Sequence, residues 1–107
     1  MALVINPANG ATHKHTVPPT TAKVFQWSNT NPVVPNAANW RLKIGNAPFG
    51  FKYYTGTPVP FSQLEDDNVV LNPIPPTGAR CYATVEWTTD GQNWSNGGSY
   101  TFFYCRP

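Results

Sequence analysis

Charge is scarce in this chain. Only 11% of the residues are Asp, Glu, Lys or Arg, against roughly 25% in an average soluble protein. The five carboxylates are Glu65, Asp66, Asp67, Glu86 and Asp90. Three of them fall in one run, and Asp90 belongs to an Asp-Gly hairpin signal. No two are therefore placed to face each other across a cleft, and no nucleophile stands with a base, as hydrolytic chemistry needs. That argues against an enzyme. The seven Lys and Arg residues are scattered rather than gathered into the basic stripe of a nucleic-acid binder, so no nucleic acid is expected as partner. No apolar run approaches the ~20 residues of a membrane span. The opening "MALVINPANG" lacks a basic start followed by a long apolar stretch, so no secretion signal is read there. Cysteine is nearly absent too: two residues permit one disulfide at most and do not fix a compartment. No Cys-x-x-Cys supports His13 and His15 of "HKH", which fall short of a metal site's three or four ligands. The run 65–67 lacks the alternating oxygen ligands of a calcium loop, and no Gly-rich phosphate loop follows a strand. No cofactor and no metal are expected.

What fills the chain instead is Pro, Gly, Thr, Asn and aromatic residues. Twelve Pro and eight Gly disfavour helices and suit short strands joined by turns. Aromatics at 14% are too many for a disordered segment, so a packed fold follows. The 107 residues make one domain, 1–107. Strands are read at "ALVIN", "AKVFQWS", "NWRLKIG", "FKYYTG", "NVVLNPI", "CYATVEW" and "SYTFFYC". "ATHKHTVPPTT" reads as an edge segment or loop, and "NTNPVVPNAA" and "TPVPFSQLEDD" read as loops. Seven evenly spaced strands without a helix predict an all-β, antiparallel β-sandwich. Phe25, Trp27, Trp40, Leu42, Ile44, Val69, Leu71, Val85 and Phe103 lie on the apolar phase of their strands and are the predicted core. Trp87 shares the phase of Cys81 and Val85, whereas Trp94, beyond the Asp-Gly turn, is the Trp expected to be exposed.

The order of turn glycines and core aromatics resembles a known family. Pro7 and Gly10, Phe25 and Trp27, Ile44 and Gly45, Pro48 and Gly50, and Gly56 fill the first half of the pattern. Pro75 and Gly78, Tyr82, Gly91, Trp94 and Tyr100 fill the second. In that order they resemble the fibronectin type III-like and immunoglobulin-like modules of bacterial extracellular proteins. The family usually carries aliphatic residues or Thr where this chain has Cys81 and Cys105. The resemblance implies a seven-stranded fibronectin III/immunoglobulin-like sandwich that binds or adheres, with a protein or a carbohydrate at a cell surface as its partner. It also implies a secreted or surface setting, with the cytoplasm as the alternative. Such modules have no single activity. A spacer or self-associating unit, monomeric or weakly dimeric, is the rival reading.

Two further expectations concern the last two strands. If the chain turns back around residue 93, Cys81 faces Cys105, and a disulfide between them is predicted, two reduced thiols acting as small apolar residues being the alternative. The same parity turns Thr101, Phe103 and Cys105 inward and Tyr100, Phe102 and Tyr104 outward, beside Tyr82, Thr84 and Glu86. In the family that the chain resembles, "NWRLKIG" neighbours "CYATVEW", which brings Arg41 and Lys43 to the border of that surface. The predicted ligand-binding residues are therefore Arg41, Lys43, Tyr82, Tyr100, Phe102 and Tyr104, an aromatic patch edged by two bases. A bulge at "NGG" is the alternative, and would send the even-numbered aromatics into the core.

Overall fold

A computed structural model of the chain describes residues 2–14, 23–29, 38–96 and 98–106. Nine strands occur among them: β1 (Ala2–Asn6), β2 (Thr12–Lys14), β3 (Lys23–Asn29), β4 (Asn39–Gly45), β5 (Tyr54–Thr55), β6 (Val59–Pro60), β7 (Glu65–Val69), β8 (Arg80–Thr88) and β9 (Thr101–Arg106). They form two sheets. The smaller has the order β1-β3-β7, and the larger the order β2-β9-β8-β4-β5, with β6 also on β4. The described residues contain no helix, let alone one long and apolar enough to cross a membrane.

Alternation decides which residues fill the space between the sheets. All nine predicted core residues are buried, joined by Val4, Tyr53, Cys81, Ala83 and Cys105. Aromatic pairs span the gap: Phe25 of the smaller sheet meets Phe103 of the larger at 5.5 Å, and Trp27 meets Trp40 at 6.4 Å. Trp40 stacks on Phe61 and donates its indole N–H to the Phe61 carbonyl at 2.8 Å, so its polar atom enters the core with a partner.

The strand expected over 51–56 is only Tyr54–Thr55, and β6 falls within the loop expected over 57–67; beyond that, the strand map departs from the sequence reading in three places. The first is at the acidic run. Glu65, Asp66 and Asp67 open β7 rather than lying in a loop, and the strand predicted at 68–74 ends at Val69. Asp66 is buried there because Tyr54 donates its hydroxyl to the carboxylate at 2.6 Å and the Asn68 amide donates at 3.0 Å. Since β7 is an edge strand, its charges also discourage edge-to-edge strand pairing with the same strand of another copy. The second departure is β2, which pairs with β9 in parallel, so the larger sheet is mixed rather than purely antiparallel. The chain leaves the smaller sheet after β1 and joins the larger one through the turn at 7–10, where Gly10 holds a positive φ of 81°. His13 then lies against Phe25 and Phe103; His15 lies outside the described residues.

The third departure is the register of the last hairpin. Cys81 faces Phe103 and Tyr82 faces Phe102, so the turn centres one residue earlier than predicted. A shift of two in the pairing preserves parity, and the predicted inward and outward sets survive it.

Candidate functional site

The outer face of the larger sheet is built by alternate residues of β4, β8 and β9. Arg41 lies opposite Glu86, Lys43 opposite Thr84, and Tyr82 opposite Phe102. All six predicted ligand-binding residues are on this face or at its rim, and they fall into two groups rather than one even patch.

One group is centred on Glu86. Its carboxylate accepts from Arg41 Nε at 3.0 Å and again from Nη2, and its second oxygen accepts from Lys43 Nζ at 3.2 Å. Glu86 is only 7% exposed despite lying on the outer face. Burying a carboxylate is costly unless it is paired and hydrogen-bonded in this way. Each cation carries an aromatic ring as well. The Arg41 guanidinium lies 4.0 Å from the Trp94 ring centroid, and Lys43 Nζ lies 5.5 Å from that of Phe51. Trp94 is thus half-buried over Arg41 instead of free at a hairpin tip.

The other group is the aromatic row. Tyr82 packs edge-on against Tyr100 at 5.5 Å, and Tyr100 meets Phe49 at 5.6 Å. Phe102 meets Tyr104 at 5.9 Å. Arg80 bridges this row: its guanidinium lies 4.5 Å from the Phe102 ring and donates to the Tyr104 hydroxyl at 2.8 Å. Hydrogen bonds to Tyr104 and then Tyr82 raise the pKa of this exposed arginine.

Sequence reasoning missed four contributors, Arg80, Phe49, Phe51 and Thr55, and placed Glu86 on this face without giving it a role. Arg80 shares the outward phase of Tyr82, a signal that was available. Phe49 and Phe51 come from the turn after β4, where alternation carries no information. The Gly50 amide donates to the Ala47 carbonyl at 3.0 Å, which closes a β-turn over 47–50 with Pro48 and Phe49 at its centre. Phe49 has a φ of 66°. A Pro followed by a positive φ is the type II arrangement, which normally takes Gly at the second position. A bulky side chain there stores about 1–3 kcal/mol of strain. The flanking glycines are required by close approach: a Cβ on Gly45 would stand 2.5 Å from the Gly50 carbonyl carbon.

Phe51 is 67% exposed, Tyr100 42%. Arg41, Lys43, Phe51 and Thr55 line an open cleft of about 240 Å³. Beside it, Thr84 is 1% exposed and its hydroxyl has no hydrogen-bond partner among the described residues. Leaving such a group unpaired costs about 1–3 kcal/mol.

The two cysteines lie on the opposite, inward face. Cys105 is diagonal to Cys81 rather than directly across, yet the sulfurs converge to 2.8 Å, and both are thiols. The contact splits them. Hydrogen bonding to Cys81, with burial, holds the Cys105 proton well above the ordinary thiol range, while the same contact lowers Cys81 against the effect of burial. No group of three His, Cys, Asp or Glu that could hold a metal ion occurs among the described residues. No family of known proteins, no curated protein and no solved structure matches this chain.

Proposed function

We propose that the chain is a non-catalytic binding or adhesion module of the fibronectin III/immunoglobulin-like sandwich type, working at a cell surface on a glycan or protein. The observation that carries the reading is the outer face of the larger sheet, where solvent-accessible aromatic rings alternate with arginine and lysine over a fully packed inner face. Exposed apolar area of this kind marks contact surfaces, and Tyr, Trp and Arg are the residues in which binding energy concentrates. Strand order supports the architecture: β1, β3 and β7 take the places of strands A, B and E, and β4, β8 and β9 those of C, F and G. Three of the five carboxylates are engaged within the fold, which supports a non-catalytic role: Glu86 is tied to two cations, Asp66 to Tyr54 and Asp90 to its own turn.

Self-association is the second reading, and charge favours it. The strands of the larger sheet carry Lys14, Arg41, Lys43, Arg80 and Arg106 against Glu86 alone, whereas those of the smaller sheet carry Glu65, Asp66 and Asp67 against Lys23 alone. The two sheets of neighbouring copies are thus electrostatically complementary. A glycan array probed with wild-type protein and with a Tyr100→Ser/Tyr104→Ser variant, beside size-exclusion chromatography of both, separates these readings. Binding by a wild-type monomer that the variant loses supports recognition. A stable wild-type dimer that the variant breaks supports self-association. Binding that survives in the variant refutes the site.

A further inference from the structure

We infer that the cleft beside Phe51 takes a carboxylated sugar, a hexuronate residue of an acidic polysaccharide. This rests on the binding-module reading and names its ligand. The first argument is the inventory of donors. Arg41 uses Nε and Nη2 on Glu86, and Lys43 uses one ammonium hydrogen on the same carboxylate. The N–H groups on Arg41 Nη1 and the other two on Lys43 have no protein partner among the described residues, and both side chains line the cleft. Donors on fixed cations are what a carboxylate accepts from most strongly.

The second argument is charge. Two cations share one carboxylate, so the trio has one positive charge left over, which matches one monoanionic group. The third argument is shape. Phe51 offers a ring that is 67% exposed, a platform for the C–H face of a pyranose, and Thr55, the cross-strand partner of Lys43, lines the same cleft. At about 240 Å³ the cleft is smaller than the ~300–1,000 Å³ of sites for larger ligands, and its openness leaves room for the neighbouring sugars of a chain. The aromatic row on the same face, with Tyr82 and Tyr100, extends the platform beyond the cleft.

The test is calorimetric titration of the whole chain with tetragalacturonate, with its methyl ester, and with a single-stranded oligonucleotide of equal charge. The ester keeps the rings and hydroxyls and removes only the anion. Tetragalacturonate should bind, the ester at least about tenfold more weakly, and Lys43→Met and Phe51→Ala should each weaken binding about tenfold, a difference of 1.4 kcal/mol. Equal binding of acid and ester, no loss in either variant, absence of tetragalacturonate binding, or tighter binding of the oligonucleotide would each overturn the inference. If one of these occurs while a neutral glycan or a protein still binds in a Tyr100- and Tyr104-dependent way, only the ligand assignment falls. If nothing binds through this face, the broader reading falls with it.

Discussion

The two faces of the larger sheet come from alternate residues of the same strands, and they solve opposite problems. On the inner face Trp40, Leu42, Ile44, Ala83, Val85 and Phe103 are buried against the other sheet. Their stability comes from apolar area removed from water and from close packing. On the outer face Arg41 and Lys43 are held by ion pairs to the buried Glu86, and Tyr82 and Tyr100 by their ring contact, while the two cations and the two rings keep access to solvent. That face also contains a Phe at a positive φ and a buried hydroxyl without a partner among the described residues, a cost that the core shares at the Trp27 indole N–H. Such local costs accumulate where a surface is shaped for a ligand. The inner face teaches how the chain folds, and the outer face what the fold presents.

The comparison breaks most visibly at Trp40. Trp40→Ala removes the indole between Trp27, Phe61 and Trp87 and its bond to the Phe61 carbonyl. It should cost about 3–5 kcal/mol, a large part of the total for a domain of this size. Chemical denaturation measures this, and a wild-type midpoint would show that the strand phase is wrong.

Next in size is the covalent link between β8 and β9. Oxidised glutathione should accept the two electrons and two protons of the Cys81 and Cys105 thiols, closing the bridge and releasing two reduced glutathiones. The cross-link should add roughly 3 kcal/mol in the chain-entropy model. Intact mass after alkylation of the denatured, unreduced protein decides it: two alkylated cysteines after oxidation would contradict the pairing.

A smaller effect is expected at the strained turn. Phe49→Gly relieves the positive φ, a gain of about 1 kcal/mol or more, partly offset by the lost ring contact with Tyr100, about 0.5–1.5 kcal/mol. Stability should stay within about 1 kcal/mol of wild type, while affinity at the outer face falls. A large destabilisation would make Phe49 a structural residue instead.

The smallest effect concerns pH. The Asp90 carboxylate is held well below the usual range, chiefly by the Asn93 amide, then by the Gln92 amide, the Asn93 side chain and the Thr88 hydroxyl. A depressed folded-state pKa contributes stability that is complete above the unfolded-chain value of about 3.9 and is lost as pH falls through the folded value. Amide resonances of Gln92 and Asn93 should therefore begin to move only well below pH 4, and Asp90→Asn should abolish that titration. A midpoint near 3.9 would mean that the turn bonds do not hold in solution.

Much of this was legible in the sequence where period-two alternation operates. "NWRLKIG" and "CYATVEW" reveal both faces at once, which is why every predicted core residue is buried and Arg41, Lys43, Tyr82, Phe102 and Tyr104 fall on the outer side. Alternation is silent in turns, so Phe49 and Phe51 escaped notice although they frame the site. It is misleading at β7, where a run of acids reads as loop until Tyr54 is seen to neutralise the cost of burying Asp66. Register was the weakest inference, because a shift of two leaves every face unchanged and only moves Cys105 from opposite Cys81 to its diagonal.

The central claim, that one sheet divides core from recognition surface residue by residue, is tested most directly on β9 and its approach. Thermal melts should be recorded for Phe103→Ser and for Tyr100→Ser/Tyr104→Ser, together with their binding to whichever ligand the wild type selects. The account predicts that the single inward change unfolds or severely destabilises the protein. The outward pair gives up ring contacts of about 0.5–1.5 kcal/mol each and the Arg80 hydrogen bond, and should remain folded, melting well above Phe103→Ser, and lose binding. An outward double variant that unfolds, or one that binds normally, would contradict it.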